Sequence, residues 1–166
     1  MTAPFPLSFF EENIHYNEET GILTWKVDRN YNAKAGDECG SFDTRGYRQI
    51  NILGKVLKGH KVAWFLHYKV WPEKDIDHIN CDRADNRISN LRLATRQEQM
   101  RNTRVNKRSK TQIKGVHYDR SRGNYQAFIH VNGRRKHLGR FANAEDAHEA
   151  YCRAADYHYA EFANYG

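Results

Sequence analysis

One stretch, DIDHINCDRADNRISNLRLATRQEQ at residues 75–99, limits the fold of this chain more than any other segment. Its first part, residues 75–80, has the character of an extended run. The polar segment at residues 82–90 is rich in Asp and Asn, which favour turns, and NLRLAT then alternates as a second strand would. The stretch therefore predicts two strands joined by a polar loop.

A helix should follow the second strand. Thr95 and Glu98 have the spacing of a capping box, in which each side chain bonds to the other residue's backbone N–H. The helix is then expected to begin at Arg96 and to carry Gln99 in its first or second turn. The local plan is strand, loop, strand, helix.

The four aspartates of this stretch lie in a chain that is basic overall. The 166 residues include 27 Lys and Arg against 20 Asp and Glu, which gives a formal net charge of +7 and an isoelectric point near 9.4. A basic balance favours a polyanionic partner such as nucleic acid over an acidic small molecule. Neither size nor charge alone names a function.

Several classes of protein do not fit the composition. No window approaches the ~20 apolar residues of a membrane span, and the N-terminus lacks the basic and apolar regions of a signal peptide. Cys39, Cys81 and Cys152 are odd in number and far apart, which fits reduced thiols better than a disulfide framework. There is no C-x-x-C pair for a structural zinc ribbon. We therefore expect a cytoplasmic protein that has no membrane partner.

The chain before the stretch predicts a short strand, a hairpin and a helix. TGILTWK indicates a turn and a strand, and residues 46–60 alternate as a β-hairpin broken at Gly54. Residues 60–72 have helical spacing, and the helix should end before Pro72. The polar face of the hairpin offers three side chains that could contact DNA, Arg48, Gln49 and Asn51.

The chain after the stretch predicts a separate small module. Residues 105–113 form a basic linker with almost no large apolar residue. Beyond it, three short β-like runs are separated by Arg-Gly-Asn and Asn-Gly turns, and an Ala-rich amphipathic helix follows. We therefore expect domains at 1–104 and 114–166.

Two residues of the first strand could act on a phosphodiester. The strand–loop–strand–helix plan can bring Asp77 near Gln99, so that both offer oxygen ligands to a hard cation such as Mg²⁺. His78 could accept a proton from an attacking water. Alternation sends Asp77 and His78 to opposite sides of an ideal strand, so twist or a bulge is needed for both to reach one phosphate. An Asp-His pair alone also fits a surface turn.

The spacing of the whole stretch helps to decide between a surface turn and a site that acts on a phosphodiester. DHINCDRADNRISNLRLAT resembles the HNH endonuclease motif, in the form found in phage and intron-encoded HNH homing endonucleases. GILTWK, GYRQINI and GHKVAWFLHYKVWP also resemble that family, so the likeness covers roughly residues 15–104. The resemblance implies a ββα-metal finger in which Asp77 binds the metal, His78 is the general base and Asn90 braces the loop.

The chain departs from the family at the third position of the motif. The family commonly has Asn or His there as a metal ligand, whereas this chain has Gln99. Glutamine keeps the carbonyl but adds a methylene, about 1.5 Å of reach, while metal–ligand distances tolerate only about 0.2 Å. Gln99 therefore leaves three alternatives. The helix is displaced to suit the longer side chain, another side chain serves as the metal ligand, or the metal binds weakly.

Other residues near the motif have an ordinary structural interpretation beside a functional one. Asn86 fits a supporting role and a turn equally well. A structural role is the better interpretation of His60, and loop capping is the better interpretation of Asp82 and Asp85. Three arginines of this region are better suited to contact phosphate or solvent than the transition state: Arg83, Arg87 and Arg92.

The C-terminal module resembles the APETALA-type DNA-binding domain of plant ethylene-response factors. The shared residues include LGRF from position 138 and AEDA from position 144. The resemblance implies that a three-stranded sheet lies in the major groove, with Ala127 and Ile129 facing the helix. The outer face then contains Gln126, Phe128, His130, Arg135 and His137. Four further arginines are suited to phosphate or guanine, namely Arg120, Arg122, Arg134 and Arg140. A solvated basic sheet is the alternative.

Together these features predict an α+β protein, a ββα-metal finger followed by a small sheet packed on one helix. We expect a DNA endonuclease that uses one Mg²⁺ or Mn²⁺ per active site and nicks double-stranded DNA. The resemblance implies a phage-encoded protein in a bacterial host, and no protein partner is implied, so we expect a monomer. The first alternative is a non-catalytic regulatory DNA-binding protein with a degenerate finger. An RNA-binding protein fits the charge but not the Asp-His-Asn spacing.

Overall fold

A computed structural model describes residues 2–106 and 108–166 of the chain. They form a mixed α+β structure with small antiparallel sheets, which confirms the predicted fold class. The chain divides into two compact units, the first ending at Thr95 and the second spanning Arg96–Gly166. The division falls ahead of the linker predicted at 105–113, because the helix at Arg96–Arg101 packs against the 3₁₀ turn Ala160–Phe162 of the second unit.

The described residues of the first unit form two α-helices, seven strands and the 3₁₀ turn Ile88–Asn90. In chain order the helices and strands are α1 (Leu7–Asn13), β1 (Ile14–Tyr16), β2 (Leu23–Trp25), β3 (Ser41–Phe42), β4 (Arg48–Ile52), β5 (Lys55–Lys58), α2 (Gly59–Tyr68), β6 (Asp75–His78) and β7 (Leu91–Ala94). The strands form a β1–β2 pair, a β3–β4–β5 sheet and a β6–β7 pair, all antiparallel. The predicted hairpin and both strands around the polar loop are therefore present.

The main core of the first unit lies between α1, α2 and the sheets. Ile50 and Ile52 of β4 point inward and are fully buried, as alternation requires. Val62 and Phe65 of α2 pack into the same cluster. The helix ends where Lys69 adopts a left-handed backbone conformation, before Pro72 as predicted. α1 and β1 were not predicted from the sequence.

The second unit is a three-stranded sheet and a long helix, preceded by the short helix. Its elements are α3 (Arg96–Arg101), β8 (Val116–Asp119), β9 (Asn124–Val131), β10 (Arg134–Phe141) and α4 (Ala144–Tyr159). The strand order is β10–β9–β8. Among the described residues of either unit, none of the helices has the length and apolar character that a membrane span requires.

The inner face of this sheet packs against α4. Ala127 and Ile129 are buried, as predicted, and Ile129 packs against Tyr151 and Ala155 of the helix. The Asn143 side chain caps the helix by accepting a hydrogen bond from the Asp146 backbone N–H at 2.8 Å. The residues that alternate with Ala127 and Ile129 along β9 therefore lie on the opposite face of the sheet.

Candidate active site

Asp77 and His78 lie at the end of β6, beside β7. The pairing is continuous, with Asp77 opposite Arg92 and His78 opposite Leu91. His78 is buried, whereas Asp77 is only partly buried, which fits the alternation of an extended strand. No break in the register accompanies the Asp-His pair in this ladder.

Asn90 holds the loop that leaves β6. Its side-chain oxygen accepts from the Asn80 backbone N–H at 3.0 Å, and its amide nitrogen donates to the Asp85 carbonyl at 2.8 Å. Its backbone carbonyl accepts from the Ile79 N–H at 2.9 Å. Buried Asn90 thus joins both ends of the loop directly after His78. That it orients the histidine for catalysis stays a prediction.

Asn86 contacts the His78 ring directly. Its Oδ1 lies 3.2 Å from His78 Nε2, and its amide nitrogen donates to the Ala84 carbonyl at 3.4 Å. Only 2% of Asn86 is exposed. Because the amide N–H is directed to a carbonyl, the amide oxygen faces the imidazole and can accept a hydrogen bond from the His78 Nε2–H. The structural contact therefore adds Asn86 to the candidate site.

The N-terminal hairpin β1–β2 supports the segment that carries Asn86. The Tyr16 hydroxyl donates to the Asn86 carbonyl at 2.7 Å. Gly21 has a positive φ of 75°, and a Cβ built there would lie 2.4 Å from the Arg87 nitrogen. Glycine is needed because any side chain would meet this backbone. The loop is thus held from outside the β6–β7 pair.

His78 also belongs to a cluster of rings. Its ring centre lies 5.2 Å from that of His60 and 5.9 Å from that of Tyr47. Burial, and next the neighbouring His78, lower the pKa of His60 to about 3. Burial also lowers the pKa of His78, while the hydrogen bond to Asn86 and the Asp77 charge oppose this shift. Both imidazoles are therefore neutral at pH 7. Tyr47 was not singled out from the sequence.

Asp77 forms an ion pair across the two strands. Arg92 Nη2 and Nε lie 2.9 and 3.1 Å from Asp77 Oδ2. The Asp77 and Arg92 side chains are only 11% and 14% exposed. The sequence pattern did not predict this pair. Only the register of the two strands, which places Asp77 opposite Arg92, could have indicated it.

The loop acids Asp82 and Asp85 serve the loop itself. Asp82 Oδ1 accepts from the Ala84 backbone N–H at 3.0 Å. Asp85 pairs with Arg87 at 2.6 Å and accepts from Asn80. The Arg87 hydrogen bond lowers the pKa of Asp85 to about 2. Across residues 2–106 and 108–166, no group of three or more His, Cys, Asp or Glu could hold a metal ion.

Gln99 lies on α3 and belongs to the second unit, where its side chain is half-buried. The helix begins at Arg96, as the capping box indicated. The assignment of Gln99 as a metal ligand stays a prediction.

The three hairpin residues proposed for DNA contact have partners within the first unit. Arg48 pairs with Glu38 and donates to the Cys39 carbonyl at 3.2 Å. Gln49 donates to Asp43 at 3.1 Å, whereas exposed Asn51 accepts from the backbone of the β4–β5 turn. Arg48 and Gln49 therefore help to hold the β3–β4–β5 sheet together.

The outer face of the second unit's sheet joins aromatic and basic side chains. Phe128 lies opposite His137, with ring centres 5.1 Å apart, and the Arg135 guanidinium stacks 3.5 Å from the Phe128 ring centre. Arg135 itself lies opposite His130. Gln126, on the same face, donates to Asp119 at 2.8 Å.

A register shift between His137 and Gly139 decides where Arg140 lies. Gly139 pairs with Ala127 of the inner face, and Arg140 pairs with Gln126 of the outer face. The extra residue therefore keeps His137 and Arg140 on one face despite their odd spacing. The other predicted arginines are all exposed, with Arg120 and Arg122 in the β8–β9 turn and Arg134 at the start of β10.

Comparison with known proteins finds a family similarity for part of the chain. Residues 58–101 match the model of a protein family described as HNH endonuclease. A solved structure titled "DNA binding and cleavage by the HNH homing endonuclease I-HmuI" has 19% identity and a TM-score of 0.42, covering 87% of this chain and 80% of that chain. No curated protein matches the chain. Residues 58–101, which include Asp77, His78, Asn90 and Gln99, are therefore similar to an HNH endonuclease family.

Proposed function

We propose that this protein is a metal-dependent DNA endonuclease of the homing type that hydrolyses phosphodiester bonds in double-stranded DNA. The observation that carries the proposal is the pair Asp77–His78 at the end of β6, followed by a loop that Asn90 closes, inside the segment that matches the HNH family. One such site per chain favours nicking of a single strand.

The residues of the site suit a hard divalent cation, Mg²⁺ or Mn²⁺. Asp77 offers a carboxylate, a hard oxygen ligand, at the end of β6, where it also pairs with Arg92. Asp77 would hold the metal through a carboxylate oxygen, the ligand type that Mg²⁺ prefers, and Mg²⁺ commonly keeps several waters. Gln99 remains the second ligand that the sequence predicts. When bound, the cation would stabilise the charge that develops on the phosphate and the leaving oxygen.

His78 would act as the general base. It is neutral at pH 7 because burial lowers its pKa, and it takes the proton from the attacking water. The new bond joins the water oxygen to phosphorus, and the bond from phosphorus to the 3′ oxygen breaks. Asn86 and Asn90 hold the ring and the loop, which limits the motion of the base.

The outer face of the second unit's sheet is proposed to contact DNA in the manner of an APETALA-type domain. Arg135, Phe128 and His137 present stacked aromatic and cationic surface, and Arg140 joins them through the register shift. Cationic and aromatic groups on one face suit base edges and phosphates. Such binding weakens steeply as salt increases.

A second candidate function is a non-catalytic DNA-binding protein. Two observations favour it, the Arg92 ion pair on Asp77 and glutamine in place of Asn or His at position 99. In this case the protein binds DNA through the second unit, and the finger only supports the fold.

Incubation of supercoiled plasmid with the purified protein separates the two functions. We expect relaxed circles in the presence of Mg²⁺ and none with a chelator, together with DNA binding measured by fluorescence anisotropy. Binding without relaxation in either Mg²⁺ or Mn²⁺ would support the non-catalytic function. Relaxation that persists in the chelator would contradict metal dependence.

A further inference from the structure

The ion pair between Asp77 and Arg92 is built into the strand register. The two residues lie directly opposite each other in the β6–β7 ladder. Two guanidinium nitrogens of Arg92 converge on the same carboxylate oxygen, at 2.9 and 3.1 Å. Both side chains are largely buried, so water screens the pair only in part.

We propose that Arg92 competes with the divalent cation for the charge of Asp77, so that stable metal binding requires the phosphates of bound DNA. The proposal rests on the function proposed above, because it takes Asp77 as a metal ligand.

The electrostatics of the site carry the proposal. A guanidinium next to the carboxylate cancels its charge, and a metal on the same carboxylate then lies a few ångströms from a like charge. Within residues 2–106 and 108–166, no group of three or more His, Cys, Asp or Glu could hold a metal ion, so Asp77 has no cluster of protein ligands to bind the cation with it. A DNA phosphate brings both negative charge and oxygen ligands, and so offsets the repulsion.

This competition couples the two ligands of the enzyme. If DNA strengthens metal binding by some factor, the metal strengthens DNA binding by the same factor. Without DNA, Arg92 keeps Asp77 in an ion pair. The cation is then held firmly only where there is a phosphodiester to cleave.

Binding of Mn²⁺ to the DNA-free protein, measured from the electron paramagnetic resonance signal of the free ion, tests the proposal. Arg92→Gln should bind Mn²⁺ about tenfold more tightly than the wild type, an effect of the size found for residues bonded to metal ligands. Arg92→Lys keeps the positive charge and should remain within about threefold of the wild type.

A matched control removes another arginine of the same loop region. Arg87 pairs with Asp85 at 2.6 Å, and its side chain is 49% exposed against 14% for Arg92. Arg87→Gln should leave Mn²⁺ affinity unchanged if the effect belongs to the Asp77 pair. An equal gain in Arg87→Gln would mean that net charge alone acts, and would overturn the proposal.

The remaining outcomes separate this proposal from the proposed function. Unchanged, weaker or unmeasurable Mn²⁺ binding by folded Arg92→Gln overturns the competition, whatever the enzyme cleaves. If circular dichroism shows that Arg92→Gln is unfolded, Arg92→Met is measured in its place. Methionine keeps the apolar part of the arginine side chain and removes its charge. Tight binding that survives Asp77→Asn in the Arg92→Gln background would instead remove Asp77 as a ligand, and with it the proposed metal site.

Discussion

His60 and His78 are buried together, and their environment fixes the protonation state of both. Burial disfavours the charged imidazolium, and the pKa of each ring is lowered from its ordinary value near 6.5. The folded protein therefore binds fewer protons than the unfolded chain at mildly acidic pH. This difference affects both catalysis and stability.

The rate of nicking should rise with pH and reach a plateau below neutrality. A base must be unprotonated, and the lowered pKa of His78 moves its titration to a pH below about 6.5. Single-turnover rate constants at saturating Mg²⁺ should therefore fall only in acidic solution, below the ordinary histidine pKa. A rate that already falls as the pH decreases from 8 to 7 would argue against buried His78 as the base.

Stability should decrease as the pH falls from 7 to 4. The pKa of His60 is about 3 in the folded state, so between that value and 6.5 only the unfolded chain binds this proton. Each such histidine costs up to about 1.4 kcal/mol per pH unit in this window. Thermal unfolding of His60→Phe should have a shallower pH dependence than the wild type. His15→Phe, which replaces an exposed histidine, is the matched control variant.

At the scale of elements, the β1–β2 hairpin supports the loop between β6 and β7. Tyr16 bonds to the Asn86 carbonyl, and Gly21 packs its backbone against residues 86 and 87. The hairpin lies before the segment that matches the HNH family. It is nevertheless part of the structure that positions His78, because Asn86 contacts the ring.

Gly21→Ala should destabilise the protein by about 2–3 kcal/mol, since a Cβ at a positive φ would also meet the Arg87 backbone. Gly36→Ala is the matched control. Its φ is also positive, at 92°, but no atom lies within 4 Å of a Cβ there, so it should cost about 1 kcal/mol. Chemical denaturation measures both values, and equal destabilisation would mean that the close approach to residue 87 has no effect.

Much of this element pattern could be predicted from the sequence. Alternation at Ile50 and Ile52 indicated the hairpin, and the Thr95–Glu98 spacing located the start of α3. Contacts between distant segments could not be predicted. The pattern around Arg48 indicated a free polar face, but the partner Glu38 comes from a loop that has no periodic signal. Likewise, nothing in Tyr16 or Gly21 pointed to Asn86, because the contact depends on tertiary packing.

At the scale of the whole molecule, the two units carry different parts of the proposed function. The first unit contains Asp77, His78 and Asn90, and the second contains the aromatic and basic face of the β10–β9–β8 sheet. Phe128 and His130 could be placed on that face from the sequence, because alternation follows directly from Ala127 and Ile129. Simple alternation from His137 would place Arg140 on the inner face. The register shift between His137 and Gly139 places it on the outer face instead, and the sequence does not reveal this shift.

The double variant Arg135→Gln/Arg140→Gln should bind DNA more weakly. The slope of log affinity against log salt should become shallower by about 1 for each phosphate that the variant no longer neutralises. Arg153→Gln is the control, because Arg153 is exposed on α4 and pairs with Glu149. Anisotropy titrations at several salt concentrations measure the slope. An equal effect in the control would show that only net charge matters.

Plasmid nicking by His78→Ala under single-turnover conditions, with DNA binding measured on the same preparations, tests whether this site is the catalytic centre. We expect the rate constant to fall by about a hundredfold or more, the usual contribution of a general base, while DNA affinity stays unchanged. His15→Ala, which removes an exposed histidine, should nick at the wild-type rate. Nicking by folded His78→Ala at the wild-type rate would contradict the assignment of this site as the catalytic centre.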